Sequence, residues 1–377
     1  METTKYRFDE VTINHDKKRK PLSAQQRAGM QGEYRYYGAQ SIIDHVNDYL
    51  FDGEFLLIAE DGENLKSGKQ DISQIVNGQF WLNNHAHIVQ TNELCNLRYL
   101  GYWLNAADIS GYITGSAQPK LSQSNMNAIE IDLPAREIQD KIVSILHSFD
   151  KKIEANNQIN RNLSEQARVV YNEKFGSLEK TKVLEDYPVK IYSGGTPSTS
   201  KKEYWEDGNI HWLSSGETAN EFVITTEKTI TQLGIDNSST KWASKYDVVT
   251  ASAGQGHTRG QTTMILLDTC INQSVIVTHA EKDYMPFIFY NVSGRYEELR
   301  VLSDGTSTRG SLTTKIMAKL EMPDVSEEEM KAFSDYAWPI ISQIEVNLKE
   351  NERLTELRDS LLPKLMSGEL DVSDLDL

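Results

Sequence analysis

The chain is short of the residues that build small stapled or metal-bound scaffolds. Two cysteines, Cys95 and Cys270, in 377 residues exclude a disulfide framework and a thiolate-rich metal site, and fit a reducing compartment. No apolar run approaches the roughly 20 residues that a bilayer span needs. The stretch from Met1 is polar and charged, unlike a signal peptide. A soluble, cytoplasmic protein without membrane contact is expected. Nucleotide signatures are missing too. Ser193-Gly194-Gly195-Thr196-Pro197-Ser198-Thr199 is glycine-rich but lacks the Gly-Lys-Ser/Thr ending of a phosphate-binding loop. Asp61-Gly62 and Gly254-Gln255-Gly256 are turn glycines outside any dinucleotide fingerprint. No Asn-Pro-Pro-aromatic motif of an amino-methyltransferase is present. No Ser–His–Asp set or carboxylate pair can be picked out without arbitrary choice, so no catalytic site is expected. His85 and His87 flank Ala86 in a predicted strand, where alternation places them on one face. Without a Cys or carboxylate companion they read as a packed or DNA-facing pair before a metal site.

What is present suffices for two domains. The hydrophobic fraction is 38% and the charged fraction 25%, ordinary for globular cores at this length. The net charge of −16 is unevenly placed. Residues 321–377 hold five Lys and Arg against fifteen Asp and Glu, a net of −10. The rest is close to neutral, and residues 14–35 gather Lys17, Lys18, Arg19, Lys20, Arg27 and Arg35. Binding to a polyanion depends on local phosphate contacts, so the acidic total does not exclude DNA. It does argue against indiscriminate binding.

The chain repeats itself. A shift of 191 positions pairs Ile153 with Ile344, Glu154 with Glu345, Asn156 with Asn347, Asn160 with Asn351, Leu163 with Leu354 and Glu165 with Glu356. Each half ends in a Gly/Ser/Thr loop, a short apolar run, a proline and a long polar helix. In the first helix Ile138, Ile142, Ile145, Phe149, Asn156, Ile159, Leu163 and Val170 form a narrow stripe. Met330, Phe333, Ala337, Ile341, Ile344, Asn351, Leu354 and Leu361 do so in the second. Such a stripe reads as a coiled-coil seam with asparagine layers that set register. Pro134 is placed to open the first helix, and Ser326 with Glu329 has capping-box spacing for the second. Pro339 predicts a kink or break near Trp338.

Before each helix the periodicity is strand-like, in residues 54–59, 247–250, 263–267 and 275–277, with short helices at 97–105 and 284–290. The expected fold is α+β: two β-rich globules, 1–134 and 179–323, and two long helical segments, 135–178 and 324–377. The helices pair as an antiparallel coiled coil with a pseudo-twofold relation between the halves.

Both globules offer loops suited to DNA. In the first these are Lys17, Lys18, Arg19 and Lys20, then Tyr36 and Tyr37, Asn84 and His85, and finally Gln118 and Lys120. The second offers Thr196, Ser198, Thr199 and Lys201, then Ser252, Gln255 and Arg259, then Thr308 and Arg309. Turn amides, hydroxyls and Lys or Arg can hold phosphates, while Asn, Gln and Arg can read base edges. Taken singly each is an ordinary surface turn; their parallel occurrence in two repeated globules is the signal.

These residues carry a family resemblance across essentially the whole chain. Leu361-Leu362-Pro363-Lys364-Leu365-Met366-Ser367-Gly368-Glu369-Leu370 resembles the C-terminal signature of type I restriction–modification specificity subunits. Residues 193–199, with Glu203-Tyr204-Trp205 and Trp212-Leu213-Ser214-Ser215-Gly216-Glu217, resemble the opening of their target recognition domains. Lys20-Pro21-Leu22-Ser23, Tyr36-Tyr37-Gly38-Ala39, Phe51-Asp52-Gly53-Glu54 and Leu57-Ile58-Ala59-Glu60-Asp61-Gly62-Glu63-Asn64 are similar in the first half. The resemblance implies a non-catalytic subunit whose two domains each read half of a split, asymmetric site on double-stranded DNA. It implies a helix pair that sets the gap, and assembly with two modification (methyltransferase) and two restriction (ATPase/nuclease) subunits. S-adenosylmethionine, ATP and Mg then belong to those partners, and this chain carries no cofactor. The alternatives are an orphan or methylation-only specificity subunit, a coiled-coil scaffold for proteins rather than DNA, and an enzyme.

Overall fold

The computed structural model describes residues 2–39, 41–67, 70–115, 118–254, 256–304 and 310–375. The chain divides into two compact units, one of Met1–Lys152 with Leu354–Leu377, the other of Ile153–Arg353.

The first unit holds β1 (Thr3–Arg7), β2 (Thr12–Asn14), β3 (Gln31–Tyr37), β4 (Ile42–Val46), β5 (Phe51–Ala59), β6 (Ser73–Leu82), β7 (Ala86–Thr91) and β8 (Glu130–Pro134). Six strands form one sheet in the order β2-β7-β5-β6-β3-β4, and β1 pairs with β8. Both faces of the sheet are covered, which explains why β5 ends in an unbroken apolar run instead of an alternating one. Leu56, Ile58 and Val89 pack against Tyr99, Leu100 and Leu104 of the helix Leu97–Ala106 and against Ile142, Val143 and Leu146. Phe51, Phe55, Leu57, Phe80, Leu82 and Ile88 fill the other side. Gly53 and Gly78 stand opposite each other in the β5/β6 ladder at φ of 128° and 87°, a backbone region closed to side chains. The end of β6 comes beside the segment leading from β2, where the Lys20 amide donates to the Leu82 carbonyl at 3.4 Å.

The second unit contains β9 (Lys182–Val183), β10 (Val189–Ser193), β11 (Ile210–Leu213), β12 (Phe222–Val223), β13 (Lys228–Ile230), β14 (Lys241–Ala243), β15 (Val248–Ala251), β16 (Thr262–Ile265), β17 (Thr269–Ile271), β18 (Val275–Ala280) and β19 (Glu321–Met322). They form a five-stranded sheet, β10-β18-β15-β16-β12, a four-stranded sheet, β13-β11-β17-β14, and the pair β19-β9. Leu213, Val249, Ile265, Ile271 and Val277 form one core of this unit. A larger core joins the helix Met285–Ser293 to Ala167, Tyr171 and Phe175 of one long helix and Met330, Phe333, Ala337, Ile341 and Ile344 of the other. Each such large side chain contributes roughly 1.5–3 kcal/mol on burial.

The long helices run over Arg136–Phe175 and Glu327–Ser367, 40 and 41 residues. Pro134 closes β8 rather than opening the first helix, which starts two residues on. Ser326 and Glu329 make the expected capping box, the Glu329 amide donating to Ser326 Oγ at 3.3 Å and the Ser326 amide to Glu329 Oε2 at 3.1 Å. The expected break at Trp338 does not occur, since the second helix is continuous through Pro339. In the second unit the helices pair antiparallel through asparagines. Asn156 Nδ2 donates to Asn351 Oδ1 at 2.9 Å, and Asn347 Nδ2 to Asn160 Oδ1 at 2.7 Å. The 191-residue repeat maps one of these contacts onto the other, so the layer has local twofold symmetry. In the first unit Asp150 meets Arg358 at 2.8 Å, and Lys141 Nζ donates to the Ser373 carbonyl at 2.6 Å. This is again an antiparallel run. The outer ends of both stripes are buried in the cores just described, and Ile159, expected in the seam, is 46% exposed. Among the described residues no helix is long and apolar enough to cross a membrane.

Candidate nucleic-acid interface

In the first unit, four loops converge beyond the end of β5. The Glu60 amide donates to the His85 carbonyl at 3.0 Å, the Leu121 amide to the Glu60 carbonyl at 2.9 Å, and the Gly62 amide to the Pro119 carbonyl at 3.3 Å. The fourth loop enters through Arg19, whose guanidinium reaches Glu60 at 2.7 Å, the Ala86 carbonyl at 2.7 Å and Asp16 at 3.3 Å. Lys120 bonds Glu60 at 3.2 Å and His85 bonds Asp61 at 2.8 Å. Lys17, Lys18, Lys20, Asn84 and Gln118 are exposed on the same loops. The structure thus gathers Lys17, Lys18, Arg19, Lys20, Asn84, His85, Gln118 and Lys120 into one place.

Two expected contacts are instead structural. Tyr36 is 1% exposed, with its hydroxyl accepting from the Leu22 amide at 2.9 Å, so its ring cannot reach a nucleic acid. Tyr37 is buried edge-on against Phe80 at 5.6 Å. Arg19 is largely spent on its ion pairs. His85 and His87 do not share a face. His85 precedes β7 and points to solvent, while His87 is buried with Nδ1 2.6 Å from Asp16 and Nε2 2.8 Å from the Leu121 carbonyl.

The posts that organise this surface are acidic, and sequence reasoning did not nominate them. Burial would raise the Asp16 carboxyl, but the hydrogen bond and charge of His87, the Ile88 amide and Arg19 outweigh it and leave it below the usual carboxylate range. Glu60 is lowered in the same way, its burial opposed by Arg19, His87 and Lys120. Both therefore stay ionised and hold the cations at the rim in place.

In the second unit the glycine-rich segment after β10 is shaped by packing. A Cβ on Gly194 would lie 2.2 Å from the Ile271 carbonyl oxygen, and one on Gly195 would lie 2.0 Å from Ser239 Oγ. The Gly195 amide is already bonded to the Ile271 carbonyl at 3.2 Å. These glycines serve a close chain approach, and the Gly195 amide is not turned outward as a phosphate cradle requires. Beyond them Thr196 bonds Gln273, and the Ser252 amide donates to the Ser274 carbonyl at 2.8 Å, so the loops around 196, 252 and 273 come together. Ser198, Thr199 and Lys201 are exposed there. Ser252 is 6% and Arg259 7% exposed, and Arg259 pairs with Asp304; both serve the fold in place of the expected DNA contact. Gln255, Thr308 and Arg309 lie outside the described residues. Gln273, absent from the sequence-derived set, is the exposed amide that this cluster adds.

Both cysteines are buried, and burial pushes the Cys95 thiol up to about 12 and the Cys270 thiol up to about 11. Neither is a nucleophile near neutral pH. Among the described residues no group of His, Cys, Asp and Glu is placed to hold a metal ion.

Residues 3–165 and 189–356 match the family described as the type I restriction modification DNA specificity domain. Over 142 residues the chain is 36% identical to a putative type I restriction enzyme specificity subunit of Haemophilus influenzae, S.HindORF215P, a stretch covering 38% of this chain and 36% of that one. It is 26% identical over 251 residues to the EcoR124I/EcoR124II specificity subunit of Escherichia coli, covering 62% and 61%. Against the MjaIX specificity subunit of Methanocaldococcus jannaschii it is 24% identical over 314 residues, covering 74% and 70%. The match thus spans about a third of the first relative's length and under two thirds of the second's. The crystal structure of a type I restriction–modification S subunit from M. genitalium shares the fold, with a TM-score of 0.59 over 97% of this chain and 96% of that one at 15% identity. With two copies of the DNA specificity domain over most of its length, the chain belongs to the family of type I restriction–modification specificity subunits.

Proposed function

We propose that this chain is the sequence-reading, non-catalytic subunit of a cytoplasmic type I restriction–modification complex. The observation that carries this reading is the convergence, in each half of a repeated chain, of loops bearing Lys, Asn, Gln and hydroxyl side chains. Each half then reads one part of a bipartite, asymmetric site on double-stranded DNA. Lys17, Lys18, Lys20 and Lys120 suit phosphates in the first domain, and Asn84 and Gln118 suit base edges. In the second domain Ser198, Thr199, Lys201 and Gln273 take these roles. Methyl transfer and cleavage reside on two modification and two restriction subunits, which bind S-adenosylmethionine, ATP and Mg; this chain assembles them.

The helices supply a ruler. Forty residues at about 1.5 Å each give roughly 60 Å, against about 34 Å for one DNA turn. A four-residue insertion within 156–163 is expected to change the gap between half-sites while leaving both half-site sequences as they were. Site selection from random duplexes by the assembled complex tests this. Recovery of the original gap would remove the ruler, and recovery of no consensus by the unmodified complex would remove the DNA-reading role.

A further inference from the structure

The second unit holds an indole that none of the candidate loops includes. The cross-strand register of its four-stranded sheet aligns Lys228, Trp212, Cys270 and Trp242 in one row over β13, β11, β17 and β14, and side chains paired this way share a face. Within this row Trp212 is 5% and Cys270 0% exposed, whereas Trp242 at the edge strand is 50% exposed. Of the two indoles in this row, Trp242 is the one open to solvent.

The neighbours of this row identify the surface. Trp205 stands edge-on to Trp212 at 5.0 Å, and the two indole N–H groups donate to the backbone of the candidate loop, Trp205 to the Ser198 carbonyl at 3.1 Å and Trp212 to the Gly195 carbonyl at 3.4 Å. Ser239, three residues before Trp242, abuts Gly195. The loop that carries Ser198, Thr199 and Lys201 therefore lies over the buried part of the row, and Trp242 is the row's uncovered end. Strand β14 is held from behind. Tyr192 donates its hydroxyl to the Trp242 carbonyl at 2.9 Å, and the Lys241 ammonium sits 5.8 Å from the centre of the Tyr192 ring. Lys201 and Lys202 are exposed on that loop, where Lys201 pairs with Glu203 at 3.7 Å and Lys202 with Glu206 at 3.3 Å. A fixed, open indole beside a loop that carries hydroxyls and a lysine complements a base or sugar of a duplex.

We propose that Trp242 is a DNA-contacting residue of the second recognition domain, its indole packing on the sugar and base edges of the half-site duplex. This assignment rests on the DNA-reading role proposed above and extends it to a residue outside the loops. The test uses the full chain assembled with its modification subunits and a duplex carrying the selected bipartite site. Trp242→Ala is expected to weaken binding about tenfold or more, the scale of truncating an aromatic anchor at an interface, and to relax only the half-site read by the second domain. Trp242→Phe should recover most of the affinity, and the thermal midpoint of Trp242→Ala should stay near that of the parent. Selective binding by the parent with no loss in Trp242→Ala overturns this assignment alone. Release of the modification subunit by Trp242→Ala, with DNA affinity otherwise intact, also overturns it, because the indole would then be a protein-docking surface. Absence of sequence preference in the parent overturns the DNA-reading role itself.

Discussion

Asp16→Ala is expected to destabilise the first unit by roughly 3–5 kcal/mol near neutral pH, the range for breaking a buried ion pair from one side. The Asp16 side chain is 5% exposed and that of His87 1%. The carboxylate accepts from His87 at 2.6 Å and from the Ile88 amide at 2.9 Å, and it pairs with Arg19 at 3.3 Å. Alanine leaves the amide and the imidazole without their acceptor, and Arg19 with Glu60 as its remaining carboxylate. The pH dependence has a definite sign. Asp16 and Glu60 are both held below their ordinary values, so their contribution is present above about pH 4, the unfolded carboxylate range. It is lost as pH falls through the folded values. The gap between parent and Asp16→Ala should therefore hold from pH 7 down to about pH 4 and narrow as the pH falls further. Urea denaturation across pH, with hydrogen exchange of β7 as the local readout, measures it; a gap that widens in acid would contradict the assignment.

Gly194→Ala is expected to cost about 3 kcal/mol, at the upper end for overpacking, because the new methyl would meet the Ile271 carbonyl oxygen, which cannot move without breaking its bond to the Gly195 amide. Displacing this segment also displaces Thr196, Ser198 and the two indoles bonded to it. Selection of the second half-site should fall at least tenfold while the first is retained, in line with a lost bidentate base contact. Gly111→Ala is the control: nothing lies within 4 Å of its Cβ position, and surface changes of this kind stay within about 0.5 kcal/mol. Equal behaviour of the two variants in denaturation would show that the close approach around Gly194 carries no strain.

Much of the fold is legible in the chain because the signals are periodic. The 191-residue repeat, the two long stripes and the short apolar runs at 54–59, 247–250, 263–267 and 275–277 all fall where helices and strands form. What escapes is set by tertiary partners far away in sequence. Pro339 removes one helical hydrogen bond, a local cost of about 3 kcal/mol. Ala337 and Ile341 on either side are fully buried, and Trp338 packs on Tyr246 at 4.8 Å and bonds the Lys282 carbonyl at 3.1 Å. That anchoring holds the helix through the proline. Tyr36 and Tyr37 look like an aromatic–basic patch, yet the end of β3 is covered on both faces, so alternation gives no outward side. The two histidines fail for a different reason: β7 begins between them, and Asp61 and Asp16 draw them apart. Arg259 is an ordinary candidate until Asp304, 45 positions on, takes its charge. Trp242 has the opposite history, being a strand residue with no sequence cue to its exposure.

The independence of the two readers is tested most directly by exchange. Residues 189–323 are replaced by the corresponding segment of another family member, the chain is assembled with its modification subunits, and the methylated sequences are mapped. One half-site should change to that of the donor, while the other half-site and the gap between them stay as they were. A change in both half-sites, or in neither, would contradict the account.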